Sequence, residues 1–388
     1  QRRLPAMSRP TLSQRLQQLP STLLPVEPLQ TQAMPVLDFA SPDYLGLARH
    51  FQVLGALQDW AARQGMQADG HSREHTQLEA GLADWLGFPA ARSYQSLAQA
   101  RLAVQQALLT EEEDLCLHDH LNNPALIQAT HLTGSRLRHY PHRDAEGAAW
   151  QLRQAPRGLA LVVSEGLFQA DGQLAPLRTL ALVAQQHQAH LLVDDVHAIG
   201  VCGEQGGGSL EATGLAATAV TALVISLEHA LGLQGAVVLA GKPLIEQLER
   251  LGILHQHPRP PTAIAAAAQV SLKLARRDGW RRERVLELAQ QLQQRLASLG
   301  INATPSPGPL LCLEVLGEAS HWQAALARRG LRVIASPDNR DPDTPMTRLR
   351  LQLSALHDSA QLDPLAESIA RLNDSARLNV PLLQPQEV

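Results

Sequence analysis

Short apolar runs alternate with longer segments of helical periodicity from Leu37 to about residue 280, and this alternation constrains the fold more than any other feature. The clearest apolar runs are Leu159–Val163, His190–Val196, Ala222–Leu227 and Ala236–Ala240. Between the first two runs, Pro176 opens a helical segment that can carry the chain back for a parallel crossover. The pattern therefore predicts an α/β fold with a mostly parallel sheet.

Three parts are expected along the chain. Residues 1–36 contain a short amphipathic stretch followed by several prolines, which predicts an N-terminal arm with a short helix. Residues 37–285 carry the alternating pattern and form the expected large domain. Residues 286–388 contain two strand patterns, LLCLEVL and TRLRLQL, among helical segments, and predict a smaller α+β domain.

Charge and cysteine content exclude several classes of function. The formal net charge is -4 and charged residues make up 18% of the chain, so the chain has no strongly basic character that would attract nucleic acid. We therefore expect no nucleic-acid partner. The three cysteines are widely spaced and form no C-x-x-C pair, so no metal site is expected. The chain contains no apolar run long enough for a membrane span, and its start lacks the apolar segment of a signal peptide. We expect a cytoplasmic protein.

The segment VDDVHAIG, residues 193–200, carries the strongest chemical signal. It ends an apolar strand, and open α/β sheets bind their ligands at the carboxyl ends of strands. The spacing Asp194-x-x-His197 allows a carboxylate and an imidazole to converge on one planar ligand. A surface loop with a capping aspartate is the alternative interpretation. Ser164 and Glu165 end the apolar run before it in the same way.

Five motifs, by their order and spacing, resemble the α-oxoamine synthases, which are pyridoxal-phosphate (PLP) enzymes of fold type I. This family includes 8-amino-7-oxononanoate synthase, 5-aminolevulinate synthase and serine palmitoyltransferase. The motifs are DYLGL at 43–47, GHSR at 70–73, SEGLFQADGQLAPL at 164–177, VDDVHAIGVCGEQGGG at 193–208 and RLRLQLSALH at 348–357. The resemblance implies the PLP-dependent transferase fold: a large domain with a mostly parallel seven-stranded sheet, and a smaller C-terminal α+β domain.

The resemblance also implies roles for residues within these motifs. Asp194 would pair with the pyridinium nitrogen of PLP, and His197 would lie near the phenolic oxygen of the ring. Ser164 and Glu165 match a loop beside the cofactor. Arg350 matches an arginine that binds the carboxylate of the amino-acid substrate. As alternatives, Ser164 would cap a turn and Arg350 would pair with a surface acid.

The Schiff-base lysine of the family has no counterpart in the aligned segment. The family carries it in a T-x-x-K-G-x-G stretch, and the alignment places Ser226 at the threonine and His229 at the lysine. An imidazole has no primary amine, so it cannot form a Schiff base with PLP. Lys242 and Lys273 are the only lysines of the chain, and both are expected at the surface.

Further departures concern the phosphate and the ring of the cofactor. Ser96 keeps the hydroxyl of the family's S-G-F helix start, but Leu97 replaces a glycine that allows close backbone approach. Asn123 stands where a histidine stacks on the ring, and a substrate loop is shortened around Glu74. The candidate cofactor-binding residues are therefore Asp194, His197, Ser164, Glu165, Ser96, Asn123 and Ser226. The candidate catalytic residues are His229 and His197, with Arg350 for the substrate.

These departures favour a catalytically degenerate α-oxoamine synthase homologue that acts as a partner or regulatory subunit. PLP or pyridoxamine phosphate would bind weakly and non-covalently, or not at all. We expect a homodimer or a heterodimer with a lysine-bearing relative, and an acyl-CoA or acyl carrier as a further ligand. Two alternatives remain open: an enzyme with non-covalently held cofactor and His229 as general base, and residual acyltransferase activity.

Overall fold

The structure is a computed structural model that describes residues 37–66, 70–155, 157–254, 257–338 and 346–379. The arm expected at residues 1–36 lies outside the described residues. From Leu37 onward, the described residues cluster into one compact unit. They begin with a two-residue strand, β1 (Leu37–Asp38).

A seven-stranded sheet forms the centre of the described structure. Its strands are β2 (Ala90–Tyr94), β3 (Leu115–Asp119), β4 (Arg136–Tyr140), β5 (Ala160–Glu165), β6 (His190–Asp194), β7 (Ala222–Ser226) and β8 (Ala236–Ala240). Their order across the sheet is β2-β8-β7-β6-β5-β3-β4, and all run parallel except β8, which is antiparallel to both neighbours. The prediction of an α/β fold with a mostly parallel sheet is confirmed.

Helices connect these strands and cover both faces of the sheet. They are α1 (Phe51–Gln64), α2 (Arg73–Leu86), α3 (Leu97–Leu108), α4 (Pro124–His131), α5 (Ala145–Arg153), α6 (Leu177–Gln186), α7 (Gly208–Thr213), α8 (Lys242–Leu254) and α9 (Thr262–Arg277). Leu161 and Val163 of β5 pack in one hydrophobic cluster, and Val162 packs in the other. Both faces are therefore buried, which explains why the central strands have continuous apolar sequences.

The C-terminal part is built from smaller sheets and three further helices. A three-stranded antiparallel sheet has the order β11-β12-β9, and a two-residue parallel pair joins β1 to β10. The elements are α10 (Trp280–Ser298), β9 (Leu310–Leu316), α11 (Ala319–Ala327), β10 (Leu331–Arg332), β11 (Ile334–Asp338), β12 (Met346–Gln352) and α12 (Leu362–Asn379). The predicted boundary between the large and the small domain, at residues 285/286, falls inside helix α10. This boundary stays a prediction.

Two polar residues determine where helices near the sheet edge begin. Ser96 precedes α3, and its side chain accepts a hydrogen bond from the Gln99 amide at 3.3 Å. Asn123 precedes α4 and accepts from the Ala125 amide at 2.8 Å. Such side-chain caps satisfy amides that the first helical turn leaves unpaired. Among the described residues, none of the helices is long and apolar enough to cross a bilayer.

Candidate functional site

Three neighbouring parallel strands end in polar side chains at one edge of the large sheet. Glu165 ends β5, Asp194 ends β6 and Ser226 ends β7. In the strand register Glu165 lies beside Asp194, and Asp194 lies beside Val224. All three polar side chains are almost fully buried. This is the edge at which open α/β sheets bind their ligands, so the fold itself brings these residues together.

Asp194 forms a buried ion pair with a residue that the sequence analysis did not single out. Nε of Arg101, in α3, donates to Oδ2 of Asp194 at 2.6 Å, and only 6% and 1% of the two side chains are exposed. Burial lowers the pKa of Arg101, but the charge and hydrogen bond of Asp194 outweigh it and raise this pKa overall. A guanidinium therefore contacts the carboxylate for which the resemblance implies a pyridinium partner.

A cluster of two imidazoles and a phenol adjoins this pair. The Tyr44 hydroxyl lies 2.8 Å from Nδ1 of His197, and the rings of His197 and His229 meet edge to face with centroids 4.8 Å apart. Nδ1 of His229 lies 3.1 Å from the hydroxyl of Ser226. The His229 carbonyl accepts a hydrogen bond from the Tyr44 amide at 3.0 Å, which fixes DYLGL against the loop after β7.

Both imidazoles of this cluster are neutral near pH 7. Burial, reinforced by the positive charges of Arg101 and Arg350, lowers the pKa of His229 to about 4. Burial also lowers the pKa of His197 well below its usual range, with His229 and the same two arginines adding to the effect. A neutral imidazole with so low a pKa is a weak proton acceptor at pH 7.

Glu165 connects this edge of the large sheet to Arg350 in the small sheet. Its carboxylate accepts the backbone amides of Asn123 at 2.5 Å and Gln169 at 3.0 Å. The side chain of Gln169 in turn accepts a hydrogen bond from Arg350 at 2.9 Å. Burial, and then the charge of Asp194, raises the pKa of Glu165 to about 8. Nε of Arg350 is buried and has no hydrogen-bond partner among the described residues.

The structure thus brings most of the candidate residues together, but two of them make their contacts locally. The Ser96 side chain caps its own helix, and the Ser164 hydroxyl donates to the carbonyl of the next residue at 2.9 Å. Lys242 and Lys273 are both exposed, as expected. The described residues include no group of three or more His, Cys, Asp or Glu side chains placed to hold a metal ion.

One sequence signal would have revealed Arg101. It lies on the face of α3 that also carries Leu97, Ala100 and Val104, and a charged residue on the apolar face of a helix needs a buried partner. Gln169 carries no comparable signal, because its role depends on a contact with a strand far along the chain.

A family profile for aminotransferases of class I and II matches residues 34–369, so the chain belongs to this family. Within this broad family, the chain is similar in sequence to enzymes named 8-amino-7-oxononanoate synthase. The chain is 44% identical over 352 residues to an 8-amino-7-oxononanoate synthase of Xylella fastidiosa (strain M12), covering 88% of this chain and 87% of the relative. It is also 44% identical over 354 residues to an enzyme of that name from Stenotrophomonas maltophilia (strain R551-3), covering 88% and 86%.

Solved structures show the same fold. A serine palmitoyltransferase from S. paucimobilis with a bound PLP–myriocin aldimine superposes with a TM-score of 0.80 and 23% identity, over 88% of each chain. An 8-amino-7-oxononanoate synthase from Francisella tularensis superposes with a TM-score of 0.76 and 22% identity, over 88% of this chain and 98% of the other. The chain is a member of the PLP-dependent α-oxoamine synthase family with the type I fold, which confirms both sequence-based predictions.

Proposed function

We propose that this chain is a catalytically degenerate α-oxoamine synthase homologue that serves as a partner or regulatory subunit. The observation that carries the proposal is the cluster of Tyr44, His197, His229 and Ser226 at the end of β7, in which His229 is half-buried and the other three residues are buried. Alignment of the family's motifs puts the Schiff-base lysine at His229, and this cluster contains no amine. Because an imidazole cannot form a Schiff base, the family's covalent attachment of PLP is not available there.

The two lysines of the chain offer no substitute in this proposal. Lys242 begins α8, directly after strand β8, and Lys273 lies near the end of α9. Both side chains are exposed, whereas Asp194 and His197 are buried. PLP or pyridoxamine phosphate, where it binds at all, would be held weakly and without a covalent bond.

A second candidate function is an enzyme in which His229 acts as general base on a non-covalently held cofactor. The location of His229 favours this alternative, because its imidazole contacts Ser226 and His197. The pKa of about 4 opposes it, because a base works best when its pKa is near the operating pH. The degenerate subunit is therefore the function that the geometry supports better.

As a subunit, the chain would form a dimer with itself or with a lysine-bearing relative in the cytoplasm. Two large apolar side chains support such an association, because Phe51 and Leu54 of α1 are exposed. A partner surface would remove them from water. An acyl-CoA or an acyl carrier is the further ligand that we propose, through the activity of the partner.

Acyl-transfer assays with and without a partner test this function. The purified chain should give no condensation of CoA thioesters with glycine, alanine or serine. Sedimentation should detect a dimer, and a lysine-bearing relative should form a mixed dimer or change its rate when the chain is added. Condensation by the chain alone would contradict the proposal, as would a monomer that neither binds nor affects the candidate relatives.

A further inference from the structure

The ion pair of Arg101 and Asp194 is the feature of the site that neither the family's motifs nor the proposed function accounts for. It joins the second turn of α3 to the end of β6, and both side chains are almost fully buried. Arg101 is flanked on its helix by the buried residues Ala100, Ala103 and Val104. A cation at such a position carries a large desolvation cost and persists only with a well-placed partner.

Asp194 in turn depends on Arg101. Its neighbour Glu165 receives two backbone amides, from Asn123 and Gln169, and so has hydrogen-bond donors of its own. Among the described residues, the Arg101 guanidinium is the one group that donates a hydrogen bond to the Asp194 carboxylate. Without Arg101 the buried carboxylate of Asp194 would have no charged partner, and this would destabilise the sheet edge. Some positive group must therefore lie at this point.

We infer that Arg101 is a resident counter-ion that takes the place of a bound cofactor's pyridinium against Asp194, so that the chain completes this pocket by itself. This inference rests on the proposed function, because it explains how a homologue without covalent PLP keeps its fold. The guanidinium nitrogen is already at 2.6 Å from Oδ2 of Asp194. A protonated ring nitrogen would have to displace it and would meet a like charge at close range. The residues present therefore do not fit the cofactor.

A cycle of variants with and without PLP tests the inference. The variants are Arg101→Ala, Asp194→Asn and the double variant, with Arg276→Ala as control. Arg276 also pairs with an aspartate, Asp84 at 3.1 Å, but 45% and 72% of these side chains are exposed. The readouts are the midpoint of thermal unfolding and the dissociation constant for PLP, measured by equilibrium dialysis.

We expect each single variant to lower the unfolding midpoint by about 5–10 °C, because it leaves a buried charge unpaired. The double variant should be more stable than the sum of the single effects predicts, and Arg276→Ala should leave the midpoint unchanged. PLP should leave the midpoint of the unmodified chain unchanged. Arg101→Ala should bind PLP roughly tenfold or more tightly than the unmodified chain, and Asp194→Asn in the same molecule should abolish this gain.

Additive effects of the two substitutions, or equal PLP affinity with and without Arg101, would overturn the inference. If Arg101→Ala does not fold, the double variant decides: it should fold, because it contains no unpaired charge, and its failure to fold would count against the inference. Failure of the proposed function looks different. It would appear as a stoichiometric pyridoxyl adduct on Lys242 or Lys273 of the unmodified chain that accompanies turnover, whatever the result of the cycle.

Discussion

Replacing His142 should remove a pH-dependent contribution to stability that the structure locates between two carboxylates. Nδ1 of His142 lies 2.8 Å from Asp119, at the end of β3, and Nε2 lies 3.0 Å from Asp171, in the turn after β5. The imidazole also packs edge to face on Phe168 with ring centroids 4.6 Å apart. This contact fixes the segment that carries Gln169 and, through it, the link to Arg350.

The size of the effect follows from the pKa of His142. Burial lowers this pKa, but the hydrogen bonds and charges of Asp119 and Asp171 outweigh burial and raise it from 6.5 to about 9. At 1.36 kcal/mol per pKa unit, the protonated imidazole stabilises the fold by about 3 kcal/mol. Because the folded pKa is the higher one, this stabilisation is complete below about pH 6.5 and is lost as the pH rises through about 9.

Urea unfolding of the chain and of His142→Gln between about pH 6 and pH 9.5 measures this contribution. We expect His142→Gln to be about 3 kcal/mol less stable near pH 6, and the difference to shrink steadily toward pH 9.5. His321→Gln, at an exposed position of α11, is the control and should follow the unmodified chain at every pH. Parallel curves for the chain and His142→Gln across this range would refute the reasoning.

Three further predictions concern the site and its support. His229→Lys should leave acyl transfer from CoA thioesters at background, because Arg101 still occupies the carboxylate of Asp194 after the amine is introduced; robust turnover would contradict this. Tyr44→Phe should cost about 1 kcal/mol in urea unfolding, because it removes the 2.8 Å hydrogen bond to His197; unchanged stability would show that the bond contributes nothing. Glu79→Gln should lower the free energy of unfolding by about 3 kcal/mol, because it leaves the buried Arg259 without its 3.0 Å carboxylate contact. A loss below about 0.5 kcal/mol would show that Glu249, the second carboxylate beside Arg259, is enough to stabilise this cation.

The fold could be predicted from the sequence because its signals are local and repeated. The apolar run Ala222–Leu227 contains β7, and His190–Val196 contains β6, so the positions of these strands along the chain could be predicted from the sequence. The carboxyl-edge rule predicted that Asp194 and Glu165 each end a strand at the ligand-binding edge, and in the structure the two residues are neighbours in the strand register. The antiparallel direction of β8 has no such signal, since a buried strand has the same apolar composition in either direction.

The polar contacts of the site were harder to predict, because they join residues distant in sequence. Arg101 and Asp194 are 93 residues apart, and Gln169 and Arg350 are 181 apart. Asn123 illustrates another difficulty: its side chain caps α4 while its amide binds Glu165, so a local role and a site role coincide in one residue. A single sequence carries the helix signal of such a residue but not its distant partner.

Borohydride reduction of the chain after incubation with PLP, followed by peptide mass spectrometry, tests the central claim most directly. The 44% identical 8-amino-7-oxononanoate synthase of Xylella fastidiosa, treated in parallel, is the positive control. We predict a specific pyridoxyl adduct on the control and none on the chain, with residue 229 unmodified and Lys242 and Lys273 labelled only as accessible surface amines are. A stoichiometric adduct on Lys242 or Lys273 that accompanies turnover would contradict the account.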